Sequence, residues 1–249
     1  MVYIANCTDV RITDVELADS PYWTCFILNC DRVFVRGCYV HSSRHPHTFN
    51  GDGIDIDRCR WVTVSDCCID TADDCITLRA SCARLLEKPQ DCAYVTIANC
   101  NLSSSCNGVR FGVGEGRIHD VTVTGLSISD TRTAFNFVAA YVPASRGTDI
   151  TDVRISECVV DAQKFLHMYH CHAKDAVFAN LTFTGISGKT REPSAIVANA
   201  PALFRDIVFR DVEVGRGYTA RNVSVTVERG DFKEEKPWCA KTSLAELVE

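Results

Sequence analysis

The sequence predicts an all-β fold, a right-handed parallel β-helix of about eight coils with three parallel sheets. Three observations lead to it: an apolar motif recurring along the chain, strict alternation of apolar and polar residues inside each copy, and a turn-forming residue wherever that alternation changes phase. The copies start at Cys7, Cys30, Cys59, Cys92, Ile118, Ile150, Ala173 and Phe204, in steps of 23 to 33 residues. Three residues after each anchor stand Val10, Val33, Val62, Val95, Val121, Val153, Ala176 and Ile207. Two further on stand Ile12, Val35, Val64, Ile97, Val123, Ile155, Phe178 and Phe209. Eight and ten residues after the anchors come the pairs Val15/Leu17, Cys38/Val40, Cys67/Ile69, Cys100/Leu102, Leu126/Ile128, Cys158/Val160, Leu181/Phe183 and Val212/Val214.

A period of two marks a strand with one buried face. The phase breaks at Asp14, Gly37, Asp66, Asn99, Gly125, Glu157, Asn180 and Asp211. Gly and Asn tolerate left-handed backbone and Asp forms side-chain turns, so these positions read as tight corners. Each repeat is therefore strand, corner, strand, then a variable loop and a third strand. Parallel strands joined by such crossovers wind right-handed. A leucine-rich repeat would show a Leu consensus, and a propeller would need antiparallel blades of about 40 residues.

The 249 residues are 46% apolar and 23% charged, as in ordinary folded proteins. A net charge of −6 argues against nucleic-acid binding, which needs a basic stripe. No apolar run reaches membrane-spanning length, and Met1 is followed at once by polar, β-like sequence rather than a signal peptide. Compartment is left open. Fifteen cysteines is a high and odd number. Eight of them, Cys7, Cys30, Cys59, Cys92, Cys38, Cys67, Cys100 and Cys158, fall in interior columns and are expected as buried free thiols. No Cys-x-x-Cys spacing supports a metal cluster. Residues 1–230 read as the β-helix and 231–249 as a tail, with a capping-box pattern at Thr242–Glu246 for one short helix. The first repeat starts almost at Met1 with no cap, so the expectation is self-association through an open sheet edge, or a separately supplied N-terminal segment.

The chemistry is expected on the third strand. Its inward pairs are Ile54/Ile56, Ile76/Leu78, Val109/Phe111 and Phe135/Phe137. The outward residues between them are Asp55, Thr77, Arg110 and Asn136, with His167 in the comparable place on the next coil and Tyr169 beyond it. Coils about 4.8 Å apart would set these side chains in a line at the pitch of a sugar ring. Just before these strands lie Asn50-Gly51-Asp52, Thr71-Ala72-Asp73-Asp74 and Ser105-Cys106-Asn107-Gly108. Three carboxyl groups so close repel unless one keeps its proton, which is the condition a general acid needs. His41, His45 and His47 read as a solvated loop, His170-Cys171-His172 does not form a convincing ligand set, and Trp23 is either packing or a sugar platform.

Asn50-Gly-Asp52-Gly-Ile-Asp-Ile followed by Asp73-Asp74-Cys-Ile-Thr-Leu, with Ser20-Pro-Tyr-Trp-Thr24 upstream, resembles glycoside hydrolase family 28, the polygalacturonase and pectinase family. The resemblance covers residues 1–145 by motif and the whole chain by repeat. It implies single-displacement, inverting hydrolysis without metal or cofactor. Asp73 would be the general acid, and Asp52 and Asp74 would hold and deprotonate the attacking water. Acid and base in such a mechanism stand about 6.5–9.5 Å apart. Two departures are visible. Asn107 replaces the family's histidine in Gly-His-Gly, and Asn136-Phe137-Val138 replaces its Arg-Ile-Lys. The resemblance therefore implies a pectin-derived substrate but not standard polygalacturonase action. Arg110 could supply the missing positive charge, or the subsite takes a neutral sugar such as rhamnose or galactose. The substrate-binding candidates are Arg110, Asn107, Asn136, Asp55, His167 and Tyr169. The alternatives are a non-catalytic carbohydrate-binding or structural β-helix, and a polysaccharide lyase.

Overall fold

The computed structural model describes residues 1–81, 86–141 and 146–235, and within them the chain is a right-handed parallel β-helix. Twenty-two strands pair in three parallel ladders. The first runs β1 (Val2–Ala5), β4 (Cys25–Leu28), β7 (Ile54–Asp57), β10 (Ile76–Ala80), β13 (Asn107–Gly114), the second halves of β15 (Ser127–Ala140) and β17 (Val159–Cys171), β19 (Ser194–Val197) and β21 (Tyr218–Arg221). The second runs β2 (Thr8–Thr13), β5 (Asp31–Arg36), β8 (Arg60–Ser65), β11 (Cys92–Ala98), β14 (Arg117–Thr124), β16 (Asp149–Ser156), β18 (Phe178–Thr190), β20 (Phe204–Glu213) and β22 (Val225–Gly230). The third, of β3 (Glu16–Ala18), β6 (Tyr39–His41), β9 (Cys68–Thr71) and β12 (Asn101–Ser104), continues into the first halves of β15 and β17 and the end of β18. The two longer ladders thus hold nine strands each among the described residues, one more than the eight repeats expected, because β1 adds a rung before the first repeat and β22 one after the last.

The expected columns form the core. Val33, Val62, Val95, Val121 and Val153 stack in register and are buried, as are Val35, Val64, Ile97, Val123 and Ile155. The seventh repeat is five residues out of its expected register: Phe178, Leu181 and Phe183 pair with Ile150, Val153 and Ile155, so its anchor is Phe178 and not Ala173. The motif has apolar positions at 0, 3, 5, 8 and 10, and a shift of five maps three of them onto others. Sequence periodicity cannot separate these two registers; backbone pairing does.

The corner residues take the left-handed backbone their types favour. Asp14, Asp66, Asn99, Glu157 and Asp211 have φ between 52° and 55°, and Gly37 and Gly125 have 64° and 65°. In the shifted repeat this corner falls on Gly185, φ 63°. Asn180 is also left-handed, φ 55°, but belongs to a second corner column with Asp9, Arg32, Trp61, Tyr94, Asp120, Asp152 and Asp206. That column uses bulky residues as well as Asp and Asn, so no residue-type signal marks it.

Seven of the eight column cysteines are buried free thiols. Cys7 is the exception and is exposed, because its strand region has a neighbouring coil on one side only. The sulfurs do more than fill space. Cys30, Cys59, Cys67, Cys100 and Cys158 each donate to the carbonyl two residues back, at 3.1–3.4 Å. A small apolar side chain that also satisfies a corner carbonyl suits this position. Among the described residues every cysteine is free. Phe232, in the stretch expected as tail, is fully buried against Phe165, Phe209 and Tyr218. The helix expected at Thr242–Glu246 lies outside the described residues. Among those described, no helix is long and apolar enough to cross a membrane.

Candidate active site

The first ladder carries the site. Its register Asp55↔Thr77↔Arg110↔Asn136↔His167 places the five expected outward residues in one row across consecutive coils. Ile54↔Ile76↔Val109 is also in register, so Asp52, Asp74 and Asn107, each two residues earlier, form a parallel row. That row continues through Thr133 to Lys164. Tight backbone makes it possible: a Cβ on Gly53 would lie 2.5 Å from the Cys75 carbonyl, and one on Gly108 2.8 Å from the Ala134 carbonyl. The Asp73 carbonyl accepts hydroxyl hydrogen bonds from Thr71 and Ser104, both 2.6 Å, which hold the Asp73-Asp74 turn against the next coil.

Asp52, Asp73 and Asp74 open together into a cleft of about 870 Å³. The same cleft is lined by Asn107, Arg110, Asn136, His167 and Tyr169, so eight of the nine residues expected at the site converge. Asp55 does not reach it. Its carboxylate is fully buried below the floor, accepting from Thr77 Oγ1 at 2.6 Å and pairing with Arg79 at 3.2 Å, which leaves no surface for a sugar.

Arg110 is the centre of the electrostatics. The guanidinium is 4% exposed; Nε donates to Asp74 Oδ2, Nη2 lies 3.6 Å from Asp52, and Nη1 donates to the Gly112 carbonyl at 3.4 Å. Asn107 Nδ2 donates to the other Asp74 oxygen at 2.5 Å, and Asn136 Nδ2 donates to Asn107 Oδ1 at 3.2 Å. Burial pushes Asp52 up to about 9, with repulsion from Asp55 and Asp74 adding to it and Arg110 offsetting part. Burial, then the adjacent Asp74 charge, also raises Asp73. Burial raises Asp55 to about 6 against the pull of Arg79 and Thr77. Burial opposes the charge on Arg110, but Asp74, Tyr141 and Asp52 together outweigh it and its pKa is raised. His167 is lowered to about 4 by burial and by the nearby Lys164 and Arg132, so it is neutral at ordinary pH, stacked on Tyr169 at 4.1 Å. The buried Asn136 Oδ1 has no protein partner among the described residues and is free to accept from a hydroxyl.

Asp73, Asp74 and Cys106 each bring a ligand-type atom within 4.8 Å of the others. Both Asp74 oxygens are already engaged by Arg110 and Asn107, Arg132 donates to Cys106 Sγ at 2.6 Å, and burial with the neighbouring Asp74 and Asp73 charges pushes the Cys106 thiol up, so that it keeps its proton. A protonated thiol beside a carboxylate already neutralised within the chain does not fit a metal ion.

Several cleft residues were not singled out from the sequence. Arg132 and Lys164 precede their third strands just as the aspartates do on earlier coils, a positional signal that could have found them. Tyr141, which lies 6.0 Å from Arg110, follows a strand with no such signal. Trp23 is both packing and cleft wall: Arg79 sits over its ring at 4.2 Å and Phe26 meets it edge-on. His41 pairs with Glu16 at 3.1 Å. His170 is buried, bonded to the Ala176 carbonyl and stacked on Phe204, a packing role.

The chain is 20% identical over 239 residues to a probable exopolygalacturonase B of Aspergillus flavus, covering 84% of this chain and 52% of that protein. It is 24% identical over 148 residues to a probable polygalacturonase of Arabidopsis thaliana, covering 50% of this chain and 32% of that one. The chain thus spans about half or less of these relatives' lengths. In fold it is similar to a family 28 exopolygalacturonase of Yersinia enterocolitica, with a TM-score of 0.68 at 16% identity over 93% of this chain and 44% of the other. An endo-xylogalacturonan hydrolase from Aspergillus tubingensis gives 0.63 at 15% identity, over 93% and 63%. The sequence model of glycosyl hydrolases family 28 matches residues 1–230, and the chain belongs to that family.

Proposed function

We propose that the chain carries an inverting glycoside hydrolase site for pectin-derived poly- or oligosaccharide, with sugar contacts unlike those of a standard polygalacturonase. One observation carries this reading: three aspartates from two consecutive coils share one cleft with a single buried arginine as counter-charge. Asp73, raised by burial and by the adjacent Asp74 charge, is the group that gives a proton to the leaving oxygen. Asp74, charge-paired with Arg110, is the anion that takes a proton from the attacking water. Asp52, raised to about 9, holds that water by donating to it and does not act as a second base. The Asp73–Asp74 approach, within 4.8 Å, is shorter than the spacing of about 6.5–9.5 Å usual for inversion. Direct attack by Asp74 on the sugar is opposed by the hydrogen bonds on both its oxygens, which leaves water as the nucleophile. The activities named for the relatives support a pectic substrate. With Asn136 and neutral His167 in the row, hydroxyl contacts dominate that part of the cleft.

A second reading, a non-catalytic carbohydrate-binding β-helix, is favoured by one fact: Arg110 lies between Asp52 and Asp74, the pair that would hold the water. Reducing-sugar release from a panel of pectic backbones and side chains separates the two. The expected result is activity in the wild type and a loss of about 10²–10⁴-fold in Asp73→Asn. Equal inactivity of both proteins with oligosaccharide still bound establishes the second reading. Early-time NMR of the product anomer tests inversion, and a retained anomer removes the mechanism. An ultraviolet-absorbing product would mark a lyase.

A further inference from the structure

We propose that Arg110 is a positioning residue, an internal counter-ion that makes Asp74 and not Asp52 the base, and that it does not contact the sugar. The proposal rests on the hydrolase reading of the same cleft.

The three aspartates meet around one buried guanidinium; Arg132 and Lys164 also line the cleft but are directed to Cys106 and Glu192, and Asp55 has its own cation in Arg79. One arginine can neutralise one carboxylate at full contact. Geometry decides which: Arg110 bonds Asp74 directly through Nε, whereas Asp52 is 3.6 Å from Nη2, beyond good hydrogen-bond range. Asn107 adds a second donor to Asp74. The third guanidinium nitrogen is spent on the Gly112 carbonyl, and the group is 4% exposed, so no edge is presented for a bidentate grip on a substrate carboxylate. The groups facing Asp74 are Asp52 and Asp55 from the preceding coil, Asp73 and the buried Cys75 thiol on either side of it, Cys106, Asn107 and Arg110 from the next, and Tyr141 beyond. Arg110 is the cation in direct contact with it; Arg132 is directed to Cys106 and Arg79 to Asp55.

The test uses Arg110→Met and Arg110→Lys, read two ways. In carbon-13 NMR titration of aspartate-labelled protein, proton uptake by Asp74 is expected to move up by about one to three pH units in Arg110→Met and to recover in part in Arg110→Lys. The acid limb of kcat/KM should move the same way, with KM changing by the same factor for a neutral and a uronate-containing oligosaccharide. An unmoved Asp74 titration overturns the proposal. So does a KM increase confined to the uronate substrate on an unshifted pH profile, which would make Arg110 a substrate contact. A wild type without turnover removes the hydrolase reading alone, because the titration still decides the role of Arg110. If Arg110→Met fails to fold, the smaller shift expected in Arg110→Lys is decisive.

Discussion

Asp52 should make this protein less stable as pH rises, and Asp52→Asn should abolish the effect. The side chain is 3% exposed and its pKa goes from 3.8 to about 9 on folding. A carboxyl group raised on folding binds its proton more tightly in the native state. Between the two values the native state therefore holds the extra proton, and stability falls as pH rises. Each pH unit in that window costs about 1.4 kcal/mol. The penalty is near zero below pH 4, roughly 1.7 kcal/mol at pH 5 and roughly 4 kcal/mol at pH 7, levelling off near pH 9. Asn cannot titrate, so the stability of Asp52→Asn relative to wild type should rise by about 2–3 kcal/mol between pH 5 and pH 7. For a chain of this size that is about 4–12 °C in Tm. Urea denaturation followed by circular dichroism at pH 5, 6, 7 and 8 measures it directly. Parallel curves for the two proteins, within about 0.5 kcal/mol, would show that Asp52 is ionised in the native state and would refute the charge assignment on which the mechanism depends.

Other outcomes are expected from the same structure. Asp55→Asn should destabilise by about 3 kcal/mol, because it leaves Arg79, 11% exposed, with only the more distant Asp57, 4.0 Å away, as buried anion; chemical denaturation at pH 7 measures this, and a loss below about 1 kcal/mol counts against the pair. Gly53→Ala should cost about 2 kcal/mol or more and impair activity, since its Cβ would sit 2.5 Å from the Cys75 carbonyl and displace Asp52; an unchanged Tm would contradict the close approach. Ala202→Gly should stabilise by about 0.5 kcal/mol, because Ala202 is exposed with φ 67° and glycine removes the left-handed strain at little packing loss; a lower Tm would show that the turn is not strained.

Much of the fold was legible because a solenoid repeats its physics. Each coil buries an apolar face against the next, so Val33, Val62, Val95 and Val121 had to recur at matching positions, and the corner at Asp14, Gly37, Asp66 and Asn99 needed residues that accept left-handed backbone. Legibility failed where local patterns are degenerate. The five-residue slip at Phe178 satisfies nearly the same apolar spacing, and Trp61 and Tyr94 occupy a left-handed column that their side chains do not announce. In the site, the convergence of Asp52, Asp73 and Asp74 followed from strand order. The fate of Asp55 did not, because an outward position says nothing about whether a neighbouring Arg79 will close over it.

The sequence by itself determined the winding, the interior columns and the row on which the acidic residues stand, because these depend on periodicity and on residue types at corners. The tertiary structure alone decided the division of charge: that Arg110 bridges towards Asp74 and Asp52, that Arg79 belongs to Asp55, and that His167 is neutral. Protonation in a buried cleft is set by distances of a few ångströms between side chains on different coils, and by how much water reaches them. Neither quantity is written in the order of the residues.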